Sequence, residues 1–360
     1  MRAPGLGKTL IVLVFLLVVF GLVMLSSAGV IEGQKKFNSP YYFFRHQLLF
    51  GVLPGLILFF TVAKIHYKWW RKLAMPILII AIALMVLVFL PQFGITIKGA
   101  RRWVDFGFIT LQPSEFLKLA LIVYLAAWFG QRQSVGHWSY SLVPFFLVLG
   151  FVALLLIMQP DIKTLALVTL IALATYFFAG AKLTHILIMS LIVLIVIGVL
   201  SFAPYRLNRI KAYLNPEADK QGVSYHVNQA LIGIGSGGLW GAGFGQSKQK
   251  INYLPEPVGD SIFVVIIEEL GFVGGVMVLT LFIMLVLVLV AIATHSPDQF
   301  GRLFALGLAV WIFAQIFVNI GAIMGLIPLT GVPLPFFSYG SSSLIALLTG
   351  LGMAKNISRH

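Results

Sequence analysis

Asp260 closes the segment Leu254-Pro-Glu-Pro-Val-Gly-Asp260 and stands directly before the apolar run Ser261 to Ile292. A carboxylate at such a boundary is rarely filler, because a charge beside a hydrocarbon-soluble run is costly and marks a functional position. The glycine-rich Ile232-Gly-Ile-Gly-Ser-Gly-Gly238 precedes it in the same long polar segment. Three more polar signatures each open an apolar run: Gln112-Pro-Ser-Glu115, Gln159-Pro-Asp161 and Ser338-Tyr-Gly-Ser-Ser-Ser343. A helix starting there presents unpaired N–H groups and the positive end of its dipole. Several such starts in one vestibule would suit a phosphate or diphosphate. The plainer reading of any one signature is that Pro, Ser, Asp and Glu start helices well.

Other polar residues carry weaker signals. Glu115 and Lys118 are three apart on one helix, so they pair either as a structural clamp or as a ligand contact. Glu268 and Glu269 fall about 12 Å into their helix at roughly 1.5 Å per residue. A charge facing lipid there is costly, so at least one should turn inward and find a partner. Gln315 and Asn319 read as hydrogen bonds between helices rather than substrate contacts. Gly233-Ile-Gly-Ser-Gly-Gly238 has the spacing of a dinucleotide loop, but no strand–helix–strand context surrounds it and no Walker lysine follows. It reads instead as backbone that bends tightly or is approached closely by substrate or by another segment. His46, His66 and His226 have no metal-ligand spacing and read as structural or hydrogen-bonding groups.

The elements that must position these groups are helices in lipid. Hydrophobic residues make up 60% of the 360-residue chain, and the mean hydropathy is +1.01. That exceeds what one aqueous core could bury, and the apolar residues come in continuous blocks rather than in the short alternation of a strand barrel. About ten runs are long enough to cross a hydrocarbon core: near 9–30, 43–62, 74–90, 115–130, 142–158, 164–180, 183–203, 261–293, 302–325 and 341–356. The expected fold is all-α, a single integral membrane domain over 1–360, with one long extracytoplasmic loop, 204–260, between the seventh and eighth spans. The first run, after Arg2 and Lys8, reads as an uncleaved anchor rather than a secretion signal. The chain has no cysteine, which removes disulfide and thiolate chemistry.

Ten spans put both termini on one side, and Arg2, Lys8, Lys355 and Arg359 assign that side to the cytoplasm. Ten of the 11 acids then lie toward the outer face, with Asp298 the exception. Their clustering places the expected chemistry outside. The net charge of +14 has no nucleic-acid motif or soluble domain behind it. Cytoplasmic anchoring leaves an outer set unexplained: Lys98, Arg101, Arg102, Arg206, Arg209, Lys211, Lys220, Lys248 and Lys250. These fit either an anionic ligand approached from outside or anionic membrane lipids.

The chain resembles the SEDS family (shape, elongation, division and sporulation) of bacterial peptidoglycan glycosyltransferases, and within it the elongation type, RodA. The resemblance covers nearly the whole chain. It rests on Gly99-Ala-Arg-Arg-Trp103, Gln112-Pro-Ser-Glu115, Gln159-Pro-Asp161, Asn215-Pro-Glu217, Tyr225-His226 leading to Gln229, Ile234-Gly-Ser-Gly-Gly-Leu239, Leu254-Pro-Glu256, Asp260, Glu268-Glu-Leu-Gly271 and Pro335-Phe-Phe-Ser-Tyr-Gly340. The chain departs from the family pattern at Gly259-Asp260-Ser261, where a threonine usually precedes the acid, at Gly340-Ser-Ser-Ser343, and at Ile162-Lys163-Thr164, where Lys163 adds a cation.

The resemblance implies polymerisation of lipid II, a disaccharide pentapeptide on undecaprenyl diphosphate, at the outer face of the bacterial cytoplasmic membrane during elongation. An α-linked donor and a β-1,4-linked product imply one inverting displacement, which needs a base and positive charge for the departing diphosphate. Asp260 is then the catalytic residue, and Arg102, Glu115, Lys118, Asp161 and Gln229 are the substrate-binding set. A divalent cation, Mg²⁺ or Mn²⁺, is plausible beside the diphosphate, though no spacing defines its ligands. No nucleotide or organic cofactor is expected. The implied partners are lipid II, the nascent glycan strand, membrane lipids and a class B penicillin-binding protein. A flippase for the lipid-linked precursor is the rival, and it should carry broken helices near the midplane.

Overall fold

The computed structural model describes residues 5–97, 99–107, 109–131, 143–201, 207, 209, 213, 214, 223–251 and 253–360. Lys98, Arg206, Lys211, the Asn215-Pro-Glu217 motif, Asp219 and Lys220 lie outside them. The chain is a polytopic bundle of helices: α1 (Leu6–Ala28), α2 (Val30–Phe37), α3 (Tyr42–Val62), α4 (Tyr67–Lys72), α5 (Ala74–Leu87), α6 (Pro113–Gly130), α7 (Val143–Met158), α8 (Ile162–Phe178), α9 (Leu183–Ser201), α10 (Val223–Ser236), α11 (Ile262–Thr294), α12 (Gln299–Ile323) and α13 (Ser341–Ile357). Over its described residues, each of the ten apolar runs falls mainly on one of these helices. Among the described residues, α1, α3, α6, α11 and α12 are both long and apolar enough to span a membrane.

Helix α6 sits at the centre, packed against α5, α8, α12 and α13. Its burial on several sides makes Glu115 and Lys118 interior groups although they stand in its first two turns. Helices such as α9 and α11 instead expose Leu, Ile, Val and Phe side chains outward, as lipid-facing helices do. α13 packs along α3, and α11 lies between α1 and α12.

Among the described residues, a short sheet and a break in one long helix depart from an unbroken helical bundle. Between α5 and α6 the chain forms an antiparallel sheet of β1 (Gly94–Ile97), β2 (Ala100–Asp105) and β3 (Thr110–Leu111), in the order β1-β2-β3. The run Gly94-Ile-Thr-Ile97 is β-branched and too short to span, so it pairs with its neighbour instead. The second departure is a break in α11 at Gly271, whose φ of 70° and ψ of −172° are not helical.

The break removes the normal partners of four backbone groups. The Glu268 and Glu269 carbonyls accept instead from Ala242 N at 2.9 Å and Gly243 N at 3.0 Å. Phe272 N and Val273 N donate to the carbonyls of Gly238 and Leu239 at 2.9 and 3.2 Å. Left unpaired in a low-dielectric setting, each group would cost several kcal/mol. Contact this close needs glycine: a Cβ on Gly241 would meet the Glu269 carbonyl oxygen at 2.2 Å, and one on Gly237 would meet the Ile267 oxygen at 2.2 Å. The glycine-rich segment is therefore the backbone complement of the broken helix.

Candidate functional site

The loop before α11 is built to fix Asp260. Gly259 N donates to the Glu256 carbonyl at 2.9 Å, and Ser261 N donates to the same carbonyl at 3.3 Å. From the segment before α13, Ser338 Oγ donates to the Gly259 carbonyl at 2.6 Å and Tyr339 N to the Val258 carbonyl at 2.8 Å. From α12, Asn319 Nδ2 donates to the Asp260 carbonyl at 2.8 Å and to the Val332 carbonyl at 2.7 Å. The Pro335–Gly340 motif and Asn319 thus hold the acid from two sides. Asn319 serves a loop rather than another helix, as does Gln315, which donates to the Pro333 carbonyl at 3.0 Å and accepts from Trp311 Nε1 at 2.7 Å. This corrects the helix-to-helix expectation for both, because the loop carbonyls at 332 and 333 lie against α12 and need donors.

Asp260 lines a small pocket with Asn319, Ile323, Leu329, Thr330 and Gly331. Gly331, at φ 69°, faces both the acid and a cation: a Cβ there would lie 3.3 Å from Asp260 Oδ2 and 3.9 Å from Lys163 Nζ. Lys163 Nζ donates to the Gly331 carbonyl at 2.6 Å and interacts electrostatically with Asp161, Arg102, Asp260 and Glu115. Burial pushes the Asp260 carboxyl above the usual carboxylate range against the pull of His226 and Lys163, and Glu256 adds to the rise. Burial likewise holds the His226 imidazole below its usual range. Asn319 Oδ1, Thr330 Oγ1 and Asp161 Oδ1 are buried without a hydrogen-bond partner among the described residues.

The remaining expected residues divide into two groups. Arg102, on β2, reaches the start of α8, donating through Nε to the Gln159 carbonyl at 3.3 Å and through Nη2 to the Pro160 carbonyl. Asp161 precedes α8 without capping it through its side chain; its Oδ2 accepts from Thr164 Oγ1 at 2.8 Å. No side-chain cap forms at α6, α11 or α13 either, although α6 starts on Pro113 and carries Glu115 in its first turn. Two of the polar signatures meet, since Gln112 N donates to Ser342 Oγ at 3.0 Å. Glu115 and Lys118 pair at 2.9 Å with 4% and 2% exposure, and the ammonium lies 4.9 Å from the Trp311 ring centroid. That enclosure weights the clamp over the ligand contact. Gln229 is half-buried on α10, three residues beyond His226.

Glu268 and Glu269 both turn inward. Glu268 accepts from Ser247 Oγ at 2.5 Å and from Lys248 N at 2.8 Å. Glu269 accepts from Lys250 Nζ and from Ser27 Oγ, both at 2.7 Å. Lys250 is therefore not an outer-surface cation as its position in the sequence implied, because a fully buried carboxylate requires its charge. His226, read from its spacing as a structural or hydrogen-bonding group, places its Nε2 2.6 Å from Ser261 Oγ, beside Asp260. The Tyr-His pair ahead of the glycine-rich segment was the available signal.

The residues fit a divalent ion at Asp260 poorly. No cluster of three or more His, Cys, Asp or Glu forms among the described residues. The Gly331 carbonyl is already taken by an ammonium that also faces the pocket acid. A hard dication seeks several oxygen donors and is repelled by such a neighbour.

Comparison with known proteins gives a consistent result. The FtsW/RodA/SpoVE model, described as a cell cycle protein, matches residues 8–360. Stage V sporulation protein E of Bacillus subtilis (strain 168) is 38% identical over 353 residues, covering 98% of this chain and 96% of its own. A probable peptidoglycan glycosyltransferase FtsW of Trichlorobacter lovleyi is 40% identical over 362 residues, covering 99% of this chain and 94% of its own. Among solved structures, the rod shape determining protein RodA of Thermus thermophilus superposes with a TM-score of 0.72 at 30% identity, covering 97% of this chain and 95% of that one. A chain from a structure describing coordination of polymerization and crosslinking by a peptidoglycan synthase complex gives 0.79 at 29% identity, covering 97% and 96%.

Proposed function

We propose that this chain, which belongs to the FtsW/RodA/SpoVE (SEDS) family, is a peptidoglycan glycosyltransferase that polymerises lipid II into β-1,4-linked glycan strands. One observation carries the reading: Asp260, Asp161, Glu115 and Arg102, from four separate sequence motifs, all fall within electrostatic reach of Lys163. A diphosphate-linked sugar needs such a mixed site. The base must be anionic, and the leaving group must meet cations and helix N-termini.

Asp260 accepts the proton of the attacking 4-hydroxyl as that oxygen displaces the diphosphate with inversion. Its raised proton affinity suits the task, because a base works best when its pKa approaches the working pH. Arg102 and the starts of α8 and α11 steady the diphosphate, and Asp161 arranges that shell. Glu115 and Lys118 hold the base of α6. Gln229, on α10, serves the sugar side. The acid-bearing mouth faces outside with both termini in the cytoplasm, cell elongation is the growth mode, and a class B penicillin-binding protein cross-links the product. The synthase-complex likeness supports that partner.

Purified protein given lipid II tests the assignment: wild type should form long glycan strands, and Asp260→Asn polymerising at the parental rate would refute it. The break in α11 at Gly271 favours the rival flippase reading, since such transporters carry broken helices. Here the glycine-rich segment fills the break with hydrogen bonds and leaves no gap at its backbone. Lipid II crossing into proteoliposomes without polymer formation would favour the rival.

A further inference from the structure

The side chain that the mechanism leaves without a task is Lys163. It is half-buried on α8, and its ammonium is anchored to the Gly331 carbonyl at 2.6 Å. Gly331 O is its one hydrogen-bond acceptor among the described residues, which leaves two of its three N–H donors for a ligand. Gly331 has no side chain to separate this ammonium from Asp260: a Cβ there would press on Asp260 Oδ2 and touch Lys163 Nζ at ordinary contact distance. The two form no direct ion pair within 4.0 Å, so neither charge is spent on the other. The neighbouring charges are Asp161, Asp260 and Glu115 against Arg102, a net negative surrounding for the ammonium.

We propose that Lys163 is the resident cation of the Asp260 site and performs there the electrostatic work that a divalent ion would otherwise supply. The inference rests on the polymerase reading above. In the reaction, the donor C1–O bond breaks with its electron pair passing to the diphosphate oxygen. The acceptor 4-oxygen bonds to C1, and its proton passes to Asp260. Lys163 stays protonated throughout and donates N–H to the departing diphosphate. A fixed donor in a water-poor site stabilises developing charge without reorganisation, as a bound ion does, and an ammonium needs no set of oxygen ligands to hold it.

The test uses full-length wild type, Lys163→Gln and Lys163→Arg in detergent with purified lipid II, in EDTA and in millimolar Mg²⁺. Mn²⁺ binding is measured in parallel by electron paramagnetic resonance, with Asp260→Asn as reference. Wild type should polymerise in EDTA within about twofold of its rate in Mg²⁺. Lys163→Gln should lose roughly 10²-fold in EDTA, the usual loss on deleting one charge-stabilising donor. It should regain about tenfold with Mg²⁺ while acquiring Asp260-dependent Mn²⁺ binding that wild type lacks, because the site has lost its repelling charge. Lys163→Arg should keep EDTA-resistant activity. Abolition of wild-type activity by EDTA, or parental activity of Lys163→Gln in EDTA, would overturn the proposal. If wild type makes no polymer under any condition, the polymerase reading fails; the Mn²⁺ titration then decides separately, and Asp260-dependent binding to wild type would refute the resident cation.

Discussion

His226 Nε2 lies 2.6 Å from the Ser261 hydroxyl, which in turn donates to the Pro255 carbonyl at 2.8 Å. A hydroxyl has one proton, so the arrangement that satisfies both contacts has His226 donating through Nε2 and Ser261 passing its own proton to Pro255. Burial holds the imidazole neutral, which agrees with that tautomer. The relay fixes the residue after Asp260 and hence the backbone turn that aims the carboxylate. His226→Ala should slow polymerisation several-fold, since one such hydrogen bond is worth about 1 kcal/mol and roughly 1.4 kcal/mol is tenfold in rate. His226→Gln, which retains an N–H donor, should recover part of the loss in the same lipid II assay.

The pH profile follows from Asp260. Burial and Glu256 favour its protonated form, so the active carboxylate appears only as pH rises through a value above the ordinary one. The acidic limb of the rate should therefore lie above about 3.9, where an unperturbed aspartate titrates. Glu256→Gln removes a repelling charge and should move that limb to lower pH. Asp260→Asn should remove the limb and reduce the rate by about 10²- to 10⁴-fold, the range for losing a general base. Initial rates of strand synthesis across the acid range check all three outcomes.

Gly331→Ala tests the shared position between the two charges. At φ 69° an alanine is strained by about 1–2 kcal/mol, and its methyl would press on Asp260 Oδ2 and approach Lys163 Nζ. The variant should lower both the melting temperature in detergent and the polymerisation rate. An unchanged rate in a folded variant would show that the pocket is not where reaction occurs.

The Lys250–Glu269 pair should act as a latch for the glycine-rich segment. Glu269 is 0% exposed, so removing Lys250 leaves a buried charge unpaired. Lys250→Met should destabilise the protein by about 3–5 kcal/mol, and the Lys250→Met, Glu269→Gln double variant should recover much of that loss. Thermal unfolding of the four members of the cycle measures the coupling.

The absence of cysteine from the chain allows a direct test of sidedness. Glu256 is exposed beside the site, and Arg359 is exposed at the opposite end of α13 from Gly340. In intact cells a membrane-impermeant maleimide should label Glu256→Cys and spare Arg359→Cys. The reverse pattern would place the acid-bearing mouth in the cytoplasm and remove access to an outer-leaflet donor.

Hydrophobic periodicity and run length alone determined that the chain is a polytopic helical bundle, because lipid forces the backbone to satisfy itself within each span. They also placed Asp260, Asp161 and the Gln112–Glu115 signature at helix starts, since local residue types govern where helices begin. The glycine-rich segment announced a close backbone approach, but its partner is about thirty residues away across a break that only folding creates. The three-stranded sheet was too short to stand out against the apolar runs around it. Charge gave no hint that Lys250 would be buried or that Lys163 would face Asp260. Partners across a bundle are chosen by helix packing and by the need to neutralise buried carboxylates, and neither is written in the spacing of residues along the chain.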